Sequence, residues 1–466
     1  MTMRKIWTLV LSTILAFPAL AQQIDGYWQG RLDLPPKDTL TVGVNIRNSQ
    51  DSIALLLDSP DQYAFDIPAT EVLWADSVLR WKVPSVGASF VGRLSADGNS
   101  IVGTFEQTKV KFPLTLRRGF ERRVMNRPQT PHEPFPYTEE IVSIKDKSGR
   151  YNLINGTLTV PAKPAKALVV LITGSGWQDR DESLFGHKPF AVIADHLTRQ
   201  GYAVYRYDDY PRTVFAKSTT YDFADGVTMI LDSFSHRADF RNLPVGLLGH
   251  SEGSLVASMV AARDKRVAFT IHLGGVAQPI PEVLLYQLEA INRVGGTLSE
   301  QEIQNSIALT KPLYQSLAKA KDPKEAASLL SKVWEQQVAR LTPDERERYG
   351  YTPAGKMTAV QQMTSPWFFA FFNFDTKSYV KKVKCPVLAI GGEKDLQVDA
   401  ASNNALFEKY LPKNKKHQFV VEPNANHLLQ PCTTGSPEEY GQIETTIKPE
   451  VLERISSWLQ DLNYYK

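Results

Sequence analysis

The sequence predicts an α/β protein in which a mostly parallel, doubly wound sheet carries a helical cap insertion and is preceded by a small all-β domain. Three observations support this fold class. Continuous apolar runs recur from about residue 167 onward, amphipathic segments separate most of them, and the earlier part alternates apolar and polar residues in short segments. Runs without alternation are typical of strands buried on both faces, and alternation is typical of strands with one exposed face.

The alternating segments predict an all-β barrel or sandwich over residues 22–120. Three tryptophans in this range could form a ligand-stacking surface, although packing in the core or in a hairpin is their commoner use. They are Trp28, Trp74 and Trp81. Four prolines then stiffen residues 121–138, which we interpret as a linker between domains.

The apolar runs that follow predict the parallel sheet of an α/β domain over residues 139–466. The runs are 167–173, 202–207, 245–249, 269–274, 386–392 and 418–422. Residues from about 278 to 365 break this rhythm with helical spacing and dense mixed charge. A helical insertion beside the strand ends predicts a cap over a pocket.

The first 21 residues have the layout of a cleavable signal peptide. Arg4 and Lys5 precede an apolar stretch that is short for a membrane span, and a small-residue pattern ends at Ala21. We therefore expect an exported protein, periplasmic or secreted, with no membrane span. Loss of the two basic residues leaves 53 − 2 = 51 basic against 50 acidic residues, a balance that argues against a nucleic-acid partner.

The histidines are scattered and show no zinc-ligand spacing, and no phosphate-binding glycine loop occurs. We therefore predict neither a metal nor another cofactor. Cys385 and Cys432 could pair in an oxidising compartment, but we favour two free thiols because the two residues are expected at opposite ends of the sheet. The sequence leaves the oligomeric state open.

The stretch GLLGHSEGSLVAS, residues 246–258, places Ser251 between a predicted strand and a predicted helix. A serine hydroxyl becomes a useful nucleophile only with a base in contact and a group that orients the base. Gly249 and Gly253 leave space for a crowded backbone at the turn. This context predicts a nucleophile elbow, the turn that carries the serine of α/β-hydrolases. We interpret the adjacent His250 as a packing residue.

In that architecture the acid and then the base follow the nucleophile along the chain, each after its own strand. Two histidines lie beyond the predicted strand at 386–392. We favour His427, which follows a strand, over His417, which precedes one. We favour Asp395 over Glu393 as the orienting acid, because a few residues of turn are needed to bring a carboxylate back toward the histidine.

Negative charge builds on the substrate oxygen during attack, so fixed N–H donors must face it. The backbone N–H of Glu252, at the predicted helix start, is one candidate. We expect the second in the loop GSGWQDRDE, from Ser175 or from the neighbouring Gly176, where glycines permit close approach. The alternative, an ordinary flexible loop, stays open.

From about residue 139 onward the chain resembles the bacterial α/β-hydrolase serine esterases of the EstD type, which are close to the serine aminopeptidase and prolyl-oligopeptidase-like hydrolases. The matching motifs are GSGWQDRDE, YRYDDY, GLLGHSEGSLVA, GGEKDLQV and NANHLLQPCTTGSPEEYGQIETTIKPEVLERISSWL. The resemblance implies a carboxylesterase with Ser251 as nucleophile, Asp395 as acid and His427 as base.

The chain departs from its relatives at two loops. Thr-Gly-Ser-Gly-Trp at 173–177 replaces His-Gly-Ser-Gly-Pro, and Asp-Asp-Tyr-Pro at 208–211 replaces Asp-Asp-Arg-Gly. Trp177 is therefore predicted beside the oxyanion site, where it would narrow the acyl pocket. Trp367, within an aromatic run, could line the same pocket or pack a helix on the sheet. The charged cluster 179–182 could bind a charged substrate end or pair with itself.

These features predict an exported serine hydrolase with a small-molecule ester as substrate. The expected activity is that of a carboxylesterase, which cleaves short-chain esters through an acyl-enzyme intermediate. An amide hydrolase of the aminopeptidase or oligopeptidase kind would use the same machinery, so it remains an alternative. The other alternative is a glycan-binding or envelope-binding protein on a hydrolase scaffold.

Overall fold

The computed structural model describes residues 24–34, 38–49, 52–62, 64–107, 110–122, 125–145 and 153–462. The predicted signal peptide lies outside these residues. The chain divides into two compact units, one ending at Val124 and the other beginning at Met125. Within the described residues, no helix combines the length and the apolar character needed to cross a bilayer.

The first unit contains one antiparallel sheet of nine strands. The strands are β1 (Gly26–Leu34), β2 (Asp38–Ser49), β3 (Ser52–Ser59), β4 (Ala64–Pro68), β5 (Thr70–Ala75), β6 (Val78–Val83), β7 (Ala88–Leu94), β8 (Ser100–Gln107) and β9 (Val110–Arg117). They pair in the order β4-β3-β2-β1-β9-β8-β7-β6-β5. Neighbouring strands are mostly consecutive in the chain because short turns join them.

The inner face of this sheet forms a hydrophobic core in which Trp28 and Trp81 are fully buried. The indole N–H of Trp28 donates to the carbonyl of Ile24 at 2.8 Å, which satisfies its one polar group. Trp81 stacks on Phe90 with ring centroids 5.7 Å apart. Trp74 is half-buried against the same core. The two buried tryptophans thus serve as core residues.

The second unit contains a sheet of eight strands. The strands are β10 (Tyr137–Lys145), β11 (Leu153–Pro161), β12 (Leu168–Ile172), β13 (Ala203–Tyr207), β14 (Val245–His250), β15 (Val267–Leu273), β16 (Val387–Gly392) and β17 (Gln418–Glu422). Their order is β10-β11-β13-β12-β14-β15-β16-β17. The first two pairings, β10 with β11 and β11 with β13, are antiparallel, and the other five are parallel.

Thirteen α-helices are described in this unit. They are α1 (Pro189–Arg199), α2 (Arg212–Phe215), α3 (Thr220–Ser235), α4 (Glu252–Arg263), α5 (Ile280–Gly295), α6 (Glu300–Lys319), α7 (Pro323–Val338), α8 (Pro343–Arg348), α9 (Pro353–Met363), α10 (Pro366–Phe372), α11 (Thr376–Val380), α12 (Ala400–Tyr410) and α13 (Pro449–Leu462). Helices α5 to α11 lie between β15 and β16 in the chain, and we call them the cap.

Both faces of the central strands are buried, which explains their uninterrupted apolar sequence. Leu168, Val170 and Ile172 of β12 join a core that includes residues of α3 and α4. Val169 and Leu171 point to the other face, into a core shared with α1 and α13. Burying each such side chain contributes about 1.5–3 kcal/mol. Helices on both faces therefore fix the sheet whose strand ends carry the site.

The cap has a small core of its own, which includes Leu317 of α6, Leu330 and Trp334 of α7 and Phe372 of α10. Helices α6 to α11 begin at side-chain caps. At the start of α6, for example, the Ser299 hydroxyl accepts the amide of Glu302, and the Glu302 carboxylate accepts the amide of Ser299.

Candidate active site

Ser251 occupies a strained turn between β14 and α4. Its φ of 51° and ψ of −118° are unfavourable for a residue with a side chain, and such strain at a loop tip is typical of functional sites. Its amide N–H donates to the carbonyl of Leu273 at the end of β15. The surrounding sheet thus holds the turn that a nucleophile elbow requires.

The two glycines that flank Ser251 are required by close backbone packing. A Cβ atom on Gly249 would overlap the carbonyl of Gly253, and a Cβ atom on Gly253 would overlap the carbonyl oxygen of Ile172 at the end of β12. The absence of both side chains therefore lets α4 start directly against the neighbouring strand.

We expect Gly253→Ala to lower the free energy of unfolding by about 3 kcal/mol, because a backbone carbonyl cannot move aside as a flexible side chain can. Gly295→Ala, at the end of α5, is the matched control. A Cβ there meets no atom within 4 Å, so this change should be neutral or stabilising by up to about 1 kcal/mol. Urea denaturation of both variants measures the difference, and equal stabilities would contradict the packing argument.

His427 and Asp395 lie side by side at the ends of two neighbouring strands. Nδ1 of His427 is 2.8 Å from Oδ2 of Asp395, and both residues are buried, with 3% and 1% of their surface exposed. The other carboxylate oxygen of Asp395 accepts the amides of Gln397 and Val398, each at 2.8 Å. The carboxylate is thereby fixed, and it orients the imidazole.

The competing acid and base have other partners. Glu393 accepts the amide of Asn424 at 2.8 Å and so closes a loop beside β17. His417 accepts the amide of Val387 and has its other ring nitrogen 2.9 Å from the carbonyl of Pro412. The structure therefore pairs His427 with Asp395 and places neither alternative in that pair.

Ser251 and His427 line one cavity with an empty volume of about 500 Å³. The other lining residues are Gly174, Ser175, Gln178, Glu182, Leu184, His250, Gln397, Leu428 and Tyr440. The cavity lies where β12 and β14, adjacent in the sheet, send their connections in different directions, which is the usual position of a ligand site in such sheets.

The proposed oxyanion donors lie on two adjoining segments. Glu252 is the first residue of α4, so its amide has no intrahelical acceptor. Ser175 lines the same cavity as Ser251, and the following Gly176 adopts a positive φ of 91° that favours glycine. The preceding Gly174 donates its amide to Glu182 at 2.7 Å, which anchors this loop.

The side chain of Glu252 is a feature that sequence reasoning missed. Its buried carboxylate accepts hydrogen bonds from the hydroxyls of Ser175 and Thr220, at 2.9 and 2.6 Å, and from the indole N–H of Trp367 at 3.0 Å. Burial raises the pKa of Glu252, and the three neutral donors oppose this only in part. The carboxylate thus joins the oxyanion loop to α3 and to the cap.

The two predicted pocket tryptophans have structural partners. Trp177 is 37% exposed, donates its indole N–H to the carbonyl of Tyr210 and stacks under the guanidinium of Arg212. Trp367 stacks on Phe371 in α10, besides its bond to Glu252. Neither indole belongs to the cavity lining given above, so a role in substrate binding stays a prediction.

Charged side chains of the cluster at 179–182 are paired with residues outside it. Arg180 forms a bidentate ion pair with Asp208, and Asp181 accepts from Arg206 at 2.7 Å. Asp209, whose pKa burial raises to about 7, accepts the amide of Gln178. These contacts fix the loop after β12, as predicted for pairing within the cluster, but the partners come from β13 and the residues after it rather than from the cluster itself.

His250 is more than the packing residue that its position beside Ser251 indicated. Its Nδ1 lies 2.9 Å from Oε1 of Glu182, and its Nε2 lies 3.1 Å from the carbonyl oxygen of His427. The sequence carried no signal for this pairing, because Glu182 is 68 residues away in the chain.

Among the described residues, no group of three or more His, Cys, Asp or Glu side chains could hold a metal ion. Cys385 and Cys432 are both free thiols. Burial raises the pKa of Cys385 to about 12 and that of Cys432 to about 11, so neither is an activated nucleophile.

Comparisons with known proteins find a sequence similarity to an esterase. No family model matches it. It is 24% identical over 334 residues to Esterase EstD of Thermotoga maritima, which covers 70% of this chain and 68% of that protein. Dienelactone hydrolase from Anabaena variabilis is 17% identical, with a TM-score of 0.39 over 70% of this chain and 98% of that one. Est1E from Butyrivibrio proteoclasticus is 15% identical, with a TM-score of 0.39 over 70% and 99%.

The similarity to Esterase EstD confirms the resemblance that the sequence motifs indicated. The strand order of the second unit and the elbow at Ser251 are those of an α/β-hydrolase. The chain therefore has an α/β-hydrolase fold and is similar in sequence to Esterase EstD.

Proposed function

We propose that the protein is a serine carboxylesterase that cleaves short-chain esters of small molecules through an acyl-enzyme intermediate. One observation carries this proposal: the strained Ser251 and the His427 that is hydrogen-bonded to Asp395 open into the same cavity. The similarity to Esterase EstD supports an ester as the substrate.

In this mechanism Oγ of Ser251 attacks the ester carbonyl while Nε2 of His427 accepts the hydroxyl proton. Because Nδ1 of the ring donates to Asp395, the neutral imidazole carries its lone pair on Nε2. The proton then passes to the departing alkoxide, which leaves as an alcohol. Water, deprotonated by the same ring, hydrolyses the acyl-serine and restores the hydroxyl.

The amides of Glu252 and of Ser175 or Gly176 would hold the negative oxygen of the tetrahedral intermediate. Such donors act only as charge develops, so they lower the barrier rather than merely bind substrate. The Glu252 carboxylate and the Gly174–Glu182 bond hold the start of α4 and the oxyanion loop in fixed positions relative to each other.

Kinetic assays on the mature protein test the substrate class. We expect p-nitrophenyl acetate and butyrate to be hydrolysed with a higher kcat/KM than aminoacyl or prolyl naphthylamides. The reverse order would assign the site to amide hydrolysis, the alternative that shares the same chemistry. Absence of turnover on both substrate classes would contradict a hydrolase role.

We also propose export, with cleavage after Ala21 to give a periplasmic or secreted protein. The charged and apolar pattern of residues 1–21 supports this. N-terminal sequencing of the protein recovered from periplasmic and medium fractions tests it. A protein that retains Met1 and stays in the cytoplasmic fraction would contradict it.

A further inference from the structure

His250 is buried between two hydrogen-bond acceptors. Nδ1 lies 2.9 Å from Oε1 of Glu182, and Nε2 lies 3.1 Å from the main-chain carbonyl of His427. Only 8% of the His250 surface is exposed, so water cannot readily replace either partner.

This arrangement determines the protonation state of the ring. A neutral imidazole has one N–H and can donate to one of these acceptors, whereas an imidazolium donates to both. The same Oε1 of Glu182 also accepts the amide of Gly174 at 2.7 Å. An oxygen that accepts two hydrogen bonds is best stabilised as part of a carboxylate anion. That anion in turn stabilises a positive charge on the imidazole ring.

The charges around the ring favour the same state. Burial by itself lowers the pKa of His250, but the charge and hydrogen bond of Glu182, the carbonyl of His427 and the charge of Asp395 outweigh it, so the pKa is raised. The other titratable ring in contact is that of His427, with centroids 4.8 Å apart.

The His250–Glu182 pair connects the two loops whose relative position the proposed mechanism requires to be fixed. Glu182 holds the amide of Gly174, the residue before the proposed oxyanion donor Ser175. His250 holds the main chain of the proposed base. His250, the residue next to Ser251, bonds to both Glu182 and the carbonyl of His427, so one side chain links all three parts of the site.

We infer that His250 is a positioning residue held as an imidazolium, which ties the oxyanion loop through Glu182 to the loop that carries His427. Its kinetic consequences rest on the proposed esterase function, whereas its charge state does not. A raised pKa means that the link is complete below the ordinary pKa of a histidine and is lost as the pH rises through the raised value.

Nitrogen-15 NMR of the protein labelled at histidine tests the charge state without any substrate. His250→Gln assigns the resonances, since the chain has 8 histidines. At pH 7 we expect hydrogen on both ring nitrogens of His250. Glu182→Gln removes the counter-charge but keeps an oxygen for Gly174, so burial should then make His250 neutral. Glu393→Gln, a carboxylate with no bond to His250, is the matched control and should leave it charged.

Kinetics test the positioning role. We expect Glu182→Gln and His250→Gln to lower kcat on p-nitrophenyl acetate about ten- to a hundredfold, since both displace groups that act in the transition state. KM should change by no more than about twofold, since Oε1 of Glu182 and both ring nitrogens of His250 are bonded within the protein rather than free to bind the ester. Wild type should also lose activity on the alkaline side, and His250→Gln, which cannot titrate there, should lack that loss.

Two results would overturn the inference. A His250 ring with one N–H in the wild type at pH 7 would remove the imidazolium, even if a variant fails to fold. An alkaline limb that is the same in wild type and His250→Gln would remove the positioning role. Failure of the esterase proposal itself would be seen separately, as unchanged turnover in Ser251→Ala.

Discussion

Replacing Ser251 by alanine is expected to lower kcat for p-nitrophenyl acetate by about 10⁶-fold, the scale measured when the serine of a protease triad is removed. The hydroxyl forms the covalent bond to the acyl group, so no neighbouring group can take over its part. KM should stay close to the wild-type value because the cavity is otherwise unchanged. Initial rates with purified wild-type and variant protein, corrected for spontaneous hydrolysis, measure the effect.

Ser258→Ala is the matched control for this experiment. Ser258 lies in the same helix, α4, and is buried, and the described residues offer its hydroxyl no hydrogen-bond partner. Its removal should leave kcat unchanged and should not destabilise the fold. Near wild-type turnover in Ser251→Ala, or equal losses in the two variants, would contradict a nucleophilic Ser251.

Asp395→Asn is expected to lower kcat by about 10⁴-fold, because an amide can leave the imidazole in the wrong tautomer and does not stabilise its charged form. The amides of Gln397 and Val398 should still hold one oxygen of the new side chain, so the loop keeps its shape. The loss should appear in kcat at every pH at which the wild type is active. A stopped-flow or steady-state assay over that range measures it.

Glu393→Gln provides the comparison, since it removes a carboxylate two residues away that holds the amide of Asn424 rather than a histidine. We expect it to retain kcat to within about twofold, as is usual for a residue outside the reacting groups. A larger loss of kcat in Glu393→Gln than in Asp395→Asn would identify Glu393, rather than Asp395, as the acid that orients His427.

The features predictable from the sequence are those with local signals. The apolar run at 167–173 contains β12, and the run at 245–249 is all of β14 except its last residue, because a strand buried on both faces is apolar nearly throughout. The helical spacing after residue 278 corresponds to the cap. Candidates for nucleophile, acid and base could be chosen because each follows a recognisable strand, and the structure brings His427 and Asp395 together.

The features that the sequence did not reveal are long-range polar contacts. Glu252 meets Trp367 across 115 residues, and His250 meets Glu182 across 68. The sequence contains no sign of either partner. A glutamate after the nucleophile is also common at an ordinary helix start, and a histidine before it is also compatible with an ordinary strand end. The tertiary fold alone decides which buried polar groups satisfy one another.

The partners of Trp177 illustrate the same limit. The sequence placed it beside the oxyanion loop but gave no sign that its ring stacks with Arg212 and that its N–H bonds to Tyr210. A single amphipathic side chain can turn toward either side of a loop, and the partners that it finds across the fold determine which.

Labelling with a fluorophosphonate, followed by peptide mapping, tests whether Ser251 is an activated nucleophile, because such a probe reacts with a serine only where a base and an oxyanion site activate it. We expect one adduct, on Ser251, that forms rapidly in the wild type and is lost in His427→Ala. An unlabelled Ser251, or a Ser251 labelled equally fast without the imidazole, would contradict it.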